Sequence, residues 1–117
     1  MGSGASHGTF ADLPVAEPYE GLRRRTFDSA GSTVNEYSFE PGASFPIHRH
    51  PEEQITLILE GTVMLTVEGN TSILEAGGWS VVGCDVEHGI TAGPDGARIL
   101  AIITPRRTRT DAYTVVQ

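Results

Sequence analysis

The chain has 117 residues, with 15 acidic against 8 basic side chains and a formal net charge of −7, and every basic residue is arginine. That balance argues against an extended phosphate-binding surface, and so against a nucleic-acid partner, while a single cysteine excludes an internal disulfide framework. No apolar run approaches the roughly 18 to 20 residues that span a bilayer, and the start lacks the basic and apolar regions of a signal peptide, so the expectation is a cytoplasmic protein with no membrane partner.

In chain order, Met1 to Gly8 is small and flexible in composition and is expected to be disordered, with His7 a surface histidine. Pro14 and Pro18 favour an extended segment over a helix between Thr9 and Gly21. Residues 1–21 are thus expected to form a flexible arm, of a kind that can lie across a partner subunit, and residues 22–117 one folded domain. Leu22 to Phe27 is a basic strand: Arg23, Arg24 and Arg25 either pair the acidic excess on a solvated face or turn one guanidinium inward to an anionic substrate. Short β-rich runs follow at Thr33–Phe39, Ile55–Leu59, Val63–Val67, Thr71–Leu74, Ser80–Val82, Gly89–Thr91 and Ala97–Thr104, separated by Gly/Pro/Asn turn signals. Even spacing of short strands without a helical period predicts an all-β sandwich or barrel. Val63–Val67 and Arg98–Ile103 are apolar with little alternation, which predicts cover on both faces, either as buried central strands or by a second copy in a homodimer.

His48 and His50 stand two apart on an extended segment, so their imidazoles point to one side and can converge on one ion. Pro51 is expected to end that strand, Glu52 and Glu53 to turn the chain, and Gln54 to begin the next strand facing the histidines. Gln54 then serves as a neutral carbonyl ligand or as a hydrogen-bond partner to an imidazole, with Glu53 the fallback carboxylate if the register shifts by one. Of the remaining histidines, His7 lies in the flexible start, which leaves His88 as the third imidazole.

These residues carry a family likeness. Gly42, five residues, His48-x-His50, three residues, Gln54, six residues and Gly61 resembles the first cupin motif, and Gly78, five residues, Cys84-Asp85-x-x-His88 is similar to the second. The resemblance spans about residues 33 to 104 and implies a double-stranded β-helix, the cupin jelly-roll barrel, commonly paired as a homodimer. It implies one divalent metal ion (Zn, Mn, Ni, Fe or Co) held by His48, His50, Gln54 and His88. The chain departs from the motifs at Gln54, where the family commonly has a carboxylate, at Cys84 and Asp85 in place of Pro and Gly, and at Ala92 in place of Asn.

An all-neutral ligand set leaves the ion's charge uncompensated, which makes it a stronger Lewis acid and stabilises a ferric state less than a carboxylate-bearing set does. Carbonyl or enolate polarisation therefore ranks above O₂ activation. The proton-carrier candidates are Glu36, Tyr37, Cys84, Arg107, Tyr113 or water, although Tyr37 and Trp79 also suit the core and Cys84 suits a turn. The tail from Ile103 to Tyr113, together with Arg23-Arg24-Arg25 and the Gln, is similar to small cupins that act on sugar acids, including those opening unsaturated uronates. In these an acidic and an aromatic residue on the last strand assist an arginine; here Ala101 and Ile103 stand at those positions and Arg107 is retained, as an anchor for a carboxylate. The expected catalytic residues are thus Arg107, Glu36 and Tyr37. The expected function is a lyase, isomerase or cyclase on a small keto, hydroxy or polyketide-like substrate, with a dioxygenase of a phenolic or diketone and a non-catalytic ligand-binding protein as alternatives.

Overall fold

Turn glycines and side-chain alternation shape the chain. The computed structural model describes residues 4–109 and 112–116, and these are all-β apart from a single 3-10 turn at Phe10–Asp12. The strands are β1 Ala16–Tyr19, β2 Leu22–Asp28, β3 Thr33–Phe39, β4 Ser44–Arg49, β5 Glu53–Val67, β6 Asn70–Glu75, β7 Trp79–Val82, β8 His88–Thr104 and β9 Thr114–Val115. No helix among the described residues is long and apolar enough to cross a membrane. The disorder expected over Met1–Gly8 falls outside the described residues at 1–3; Gly4 to Gly8 are exposed and carry no strand or helix. Further on, the Pro-bounded extended segment becomes β1, which pairs with β2 through a tight Glu20-Gly21 connection, Gly21 taking φ +76. The sheet therefore begins at Ala16, ahead of the boundary expected at Leu22.

The central feature is the pairing of β5 with β8, which are longer than the sequence signals suggested. Ile55–Leu59 and Val63–Val67 are two halves of one strand, and Gly89–Thr91 and Ala97–Thr104 are two halves of another. The Gly/Pro signals between them mark irregularities in the ladder rather than turns: the register shifts between Ile58 and Glu60 and again between Gly61 and Val63. Each long strand thus serves both sides of the barrel. One side runs β1-β2-β3, the C-terminal half of β8, the N-terminal half of β5 and β7. The other runs β9-β4, the N-terminal half of β8, the C-terminal half of β5 and β6. This is the jelly-roll arrangement expected from the motifs.

Alternation sorts side chains between the interior and the outer face. Inward positions put Tyr37, Phe39, Phe45, Ile58, Val63 and Ile99 into one core with Leu22, which has no exposed surface. Each fully buried aliphatic side chain of this kind stabilises the fold by about 1.5–3 kcal/mol. Outward positions line up across the strands as Phe27, Val34, Ile102, Ile55 and Val81, and beside them Leu100, Leu57 and Trp79. Trp79 corrects an expectation: suited to the core by composition, it is 66% exposed, because its place on β7 turns it to the outer face.

Gly61 and Gly96 both have φ +77, and a Cβ on Gly61 would collide with the Gly96 carbonyl oxygen. Gly42 has φ +75 but open space around it. Gly42→Ala should therefore cost only the left-handed backbone penalty of about 1–2 kcal/mol, and Gly61→Ala distinctly more. Urea unfolding of the two variants measures the difference, and equal losses would refute the close approach at Gly61.

Candidate metal centre

Neighbouring strand ends bring the histidines together. His48 lies near the end of β4 and pairs across the ladder with His88, which opens β8, while His50 follows β4 directly. Pro51 comes after the strand end, and the chain turns through Glu52 into β5, where Gln54 lies between Val82 of β7 and Ile103 of β8 with its side chain inward. One ring nitrogen from each of His48, His50 and His88 lies within 4.8 Å of the others, and all three residues are buried.

Hydrogen bonding selects the nitrogen that faces the centre. Nδ1 of His48 bonds the Pro46 carbonyl at 2.8 Å, Nδ1 of His50 the Glu52 carbonyl at 3.0 Å and Nδ1 of His88 the Val86 carbonyl at 2.9 Å. A carbonyl only accepts, so each Nδ1 carries the proton and each Nε2 keeps its lone pair. The Gln54 amide nitrogen donates to Thr56 Oγ1 at 3.0 Å, which turns its Oε1 toward His50 Nε2 at 3.1 Å and His88 Nε2 at 3.4 Å. Lone-pair nitrogens and a carbonyl oxygen facing one another repel unless a cation lies among them. The donor set therefore fits a divalent ion, with the histidines as its holders.

Electrostatics keep these imidazoles neutral. Burial, then the nearby His88, lowers the pKa of His48 from its ordinary 6.5 to about 3. Burial likewise lowers His50, assisted by Arg107, and lowers His88, assisted by His50 and Arg107. Neutral imidazole is the form that ligates a metal.

Glu52 is a site residue that sequence reasoning assigned to a turn. Its carboxylate is buried, with Oε1 3.4 Å from His50 Nδ1 and 3.5 Å from Arg107 Nε. It lies behind His50, on the Nδ1 side away from the point where the ring nitrogens converge, and Pro-Glu-Glu gives no local signal for which of the two carboxylates turns in. The other, Glu53, is exposed and pairs with Thr104 at the start of β5, so the fallback ligand is set aside.

The remaining expected residues separate by strand face. Asn35 and Tyr37 point inward from β3 and line a cavity of about 20 Å³, together with Thr56, Gln54, His48, His88, Arg107 and apolar side chains including Phe45, Leu65 and Ile99. That space holds about one water molecule. Glu36, between the two inward residues, points the other way: its carboxylate accepts from Arg98 Nε at 2.7 Å on the outer face, so it does not reach the centre. Cys84 is an exposed residue between β7 and β8. Tyr113 is closer than the sequence showed, its ring 5.3 Å from His48 and 5.2 Å from Phe45, and its hydroxyl 2.9 Å from that of Tyr19.

An antiparallel barrel with three inward histidines able to hold a metal ion defines a class of small β-barrel protein with an internal metal centre. The chain belongs to the cupin family, whose Cupin_2 model, described as a cupin domain, matches residues 35–103. It is similar in fold to an RmlC-like cupin from Shewanella frigidimarina, at TM-score 0.79 and 24% identity over 89% of this chain and 95% of that one. It is similar also to KdgF from Halomonas sp., at TM-score 0.80 and 21% identity over 87% and 96%, and to a Bacillus subtilis oxalate decarboxylase, at 0.81 and 20% over 94% and 34%. In sequence, it is 38% identical over 60 residues to the dimethylsulfoniopropionate lyase DddW of Ruegeria pomeroyi, a stretch covering 51% of this chain and 40% of that protein's length.

The lowered histidine pKa values give a pH dependence of definite sign. Between about pH 6.5 and pH 3 the unfolded chain binds a proton at His48 that the folded chain excludes, so folding stability present above that window is lost as the pH falls through it. Thermal melts of metal-free protein should be level above pH 7 and drop steadily on acidification, and His48→Asn should flatten part of that slope. Glu52→Gln should weaken zinc binding about tenfold, read by competition with a chelator.

Proposed function

We propose that this chain is a metal-dependent lyase, isomerase or cyclase, in which His48, His50, Gln54 and His88 hold one divalent ion and the substrate is a small keto or hydroxy compound. One observation carries this reading: the atoms converging on the centre, three imidazole nitrogens and an amide oxygen, are all neutral. When bound, the ion supplies Lewis acidity toward a carbonyl or carboxylate oxygen, undiminished by an anionic ligand.

The chain's own residues then divide the work. Tyr37, buried in the cavity wall, carries the proton; its pKa is raised by burial and partly brought back by the Arg24 guanidinium beside it. Arg107, also in the wall, holds positive charge near the developing enolate, and Glu52 fixes its guanidinium. The cavity of about 20 Å³ beside the histidines leaves room for no more than a small reacting group without side-chain movement. The name of the Ruegeria relative, a lyase, supports the elimination branch, and the neutral donor set favours it over oxygen chemistry. The apolar outer row through Phe27, Ile102, Ile55 and Val81 suits a second copy of the chain, giving a homodimer.

Protein purified without added metal should carry about one divalent ion per chain, lost in His88→Ala. It should turn over members of a small oxo- and hydroxy-acid panel without consuming O₂. Substrate-dependent O₂ uptake would favour the dioxygenase reading, and no metal in any preparation would refute the metal centre. Tyr37→Phe should lower kcat by about 10²-fold or more at unchanged metal content. Val81→Glu should shift the sedimentation of the protein to that of a monomer.

A further inference from the structure

Alternation along β2 admits one of its three arginines to the barrel. Leu22 is fully buried, and Thr26 donates to Asn35 Oδ1 at 2.6 Å, so the inward set is Leu22, Arg24 and Thr26; Arg23 is exposed. Across the ladder Arg24 pairs with Tyr37, which lines the cavity. Near it the hydroxyls of Tyr19 and Tyr113 meet at 2.9 Å, with both rings packed on Phe45 and that of Tyr113 also against His48. The charge of Arg24 acts on both Tyr37 and Tyr113, whose hydroxyls burial keeps neutral by raising their pKa values.

Carboxylates lie within reach of Arg49 at Glu87, of Arg98 at Glu36 and Glu60, of Arg106 at Asp28 and of Arg107 at Glu52, while Arg23 and Arg25 lie on the outer face of β2. Among the described residues, no carboxylate lies within ion-pair distance of Arg24 or of these two. The half-buried guanidinium of Arg24 meets the neutral hydroxyl of Tyr37 rather than a carboxylate, so an incoming anion would find donors free of a competing acidic partner there.

We propose that Arg24, beside the hydroxyl of Tyr37 and on the side of the barrel where Tyr113 packs on Phe45 and His48, is a carboxylate-binding subsite next to the metal centre, so that the substrate is a small acid held at Arg24 and reacting at the histidines. The anchoring role suggested by sequence for Arg107 thus passes to Arg24, because Arg107 already faces Glu52. The subsite deepens the reading above and rests on it for which end of the acid reacts.

Calorimetric titration of the full chain with butyrate and with its neutral counterpart butyramide, in zinc-loaded and metal-free forms, tests the subsite without turnover. Butyrate should bind both forms and bind at least about tenfold more tightly than butyramide. Arg24→Met should remove that preference with zinc content and melting unchanged, and Arg24→Lys should restore part of it. Should Arg24→Met lose its cooperative melt, Tyr113→Phe serves instead, with butyrate affinity expected to fall severalfold. Butyrate binding equal to that of butyramide in the native chain, or unaltered in whichever variant folds, would overturn the proposal. Absence of turnover on any acid with the butyrate preference intact would instead count against the lyase reading alone.

Discussion

The antiparallel ladder between β5 and β8 is the constraint on which the site depends. Its register runs from Glu53 opposite Thr104, with Gln54 next opposite Ile103, to Val67 opposite His88, so Gln54 and His88 belong to opposite ends of the same ladder. Thirteen residues of straight strand would separate those ends by about 40 Å at ~3.3 Å per residue. Instead Gln54 Oε1 lies 3.4 Å from His88 Nε2. The ladder can curl back on itself because its register breaks on either side of Gly61, where the backbone crosses Gly96 too closely for any side chain. Closure of the barrel is thus what brings Gln54 and the three histidines to one point.

Once closed, the barrel imposes its chemistry by desolvation. Burial holds the imidazoles neutral, backbone carbonyls two residues away hold their Nδ1 protons, and Thr56 holds the amide of Gln54. Each device directs an electron pair to the same point. The one carboxylate nearby among the described residues is kept a step removed, on Glu52 behind His50 and against Arg107.

Much of this was legible along the chain. The two-residue spacing of His48 and His50, the strand-ending Pro51, the return at Gln54 and the distant His88 all carried local signals, since side-chain alternation and the missing proline donor act over one or two residues. Strand continuity was not legible: glycines at 61 and 93–96 read as turns, and only the facing strand makes them bulges within a ladder. Nor was the facing of Glu36, Trp79 and Glu52, because a shift of one residue reverses every side chain and nothing local pins the register.

By itself, then, the sequence determined an all-β jelly roll of the cupin kind, three histidines and a glutamine at the spacing that brings them together, and an acidic chain, because each is a matter of composition or of spacing along one strand. Tertiary structure alone decided which charged residues turn inward: Arg24 on the face of β2 that carries Leu22 and Thr26, Glu52 and not Glu53, Arg107 inward and Glu36 outward. The physical reason is that strand register and barrel curvature are set by contacts between residues far apart in the chain, and a side chain's face is fixed only when its neighbours across the ladder are.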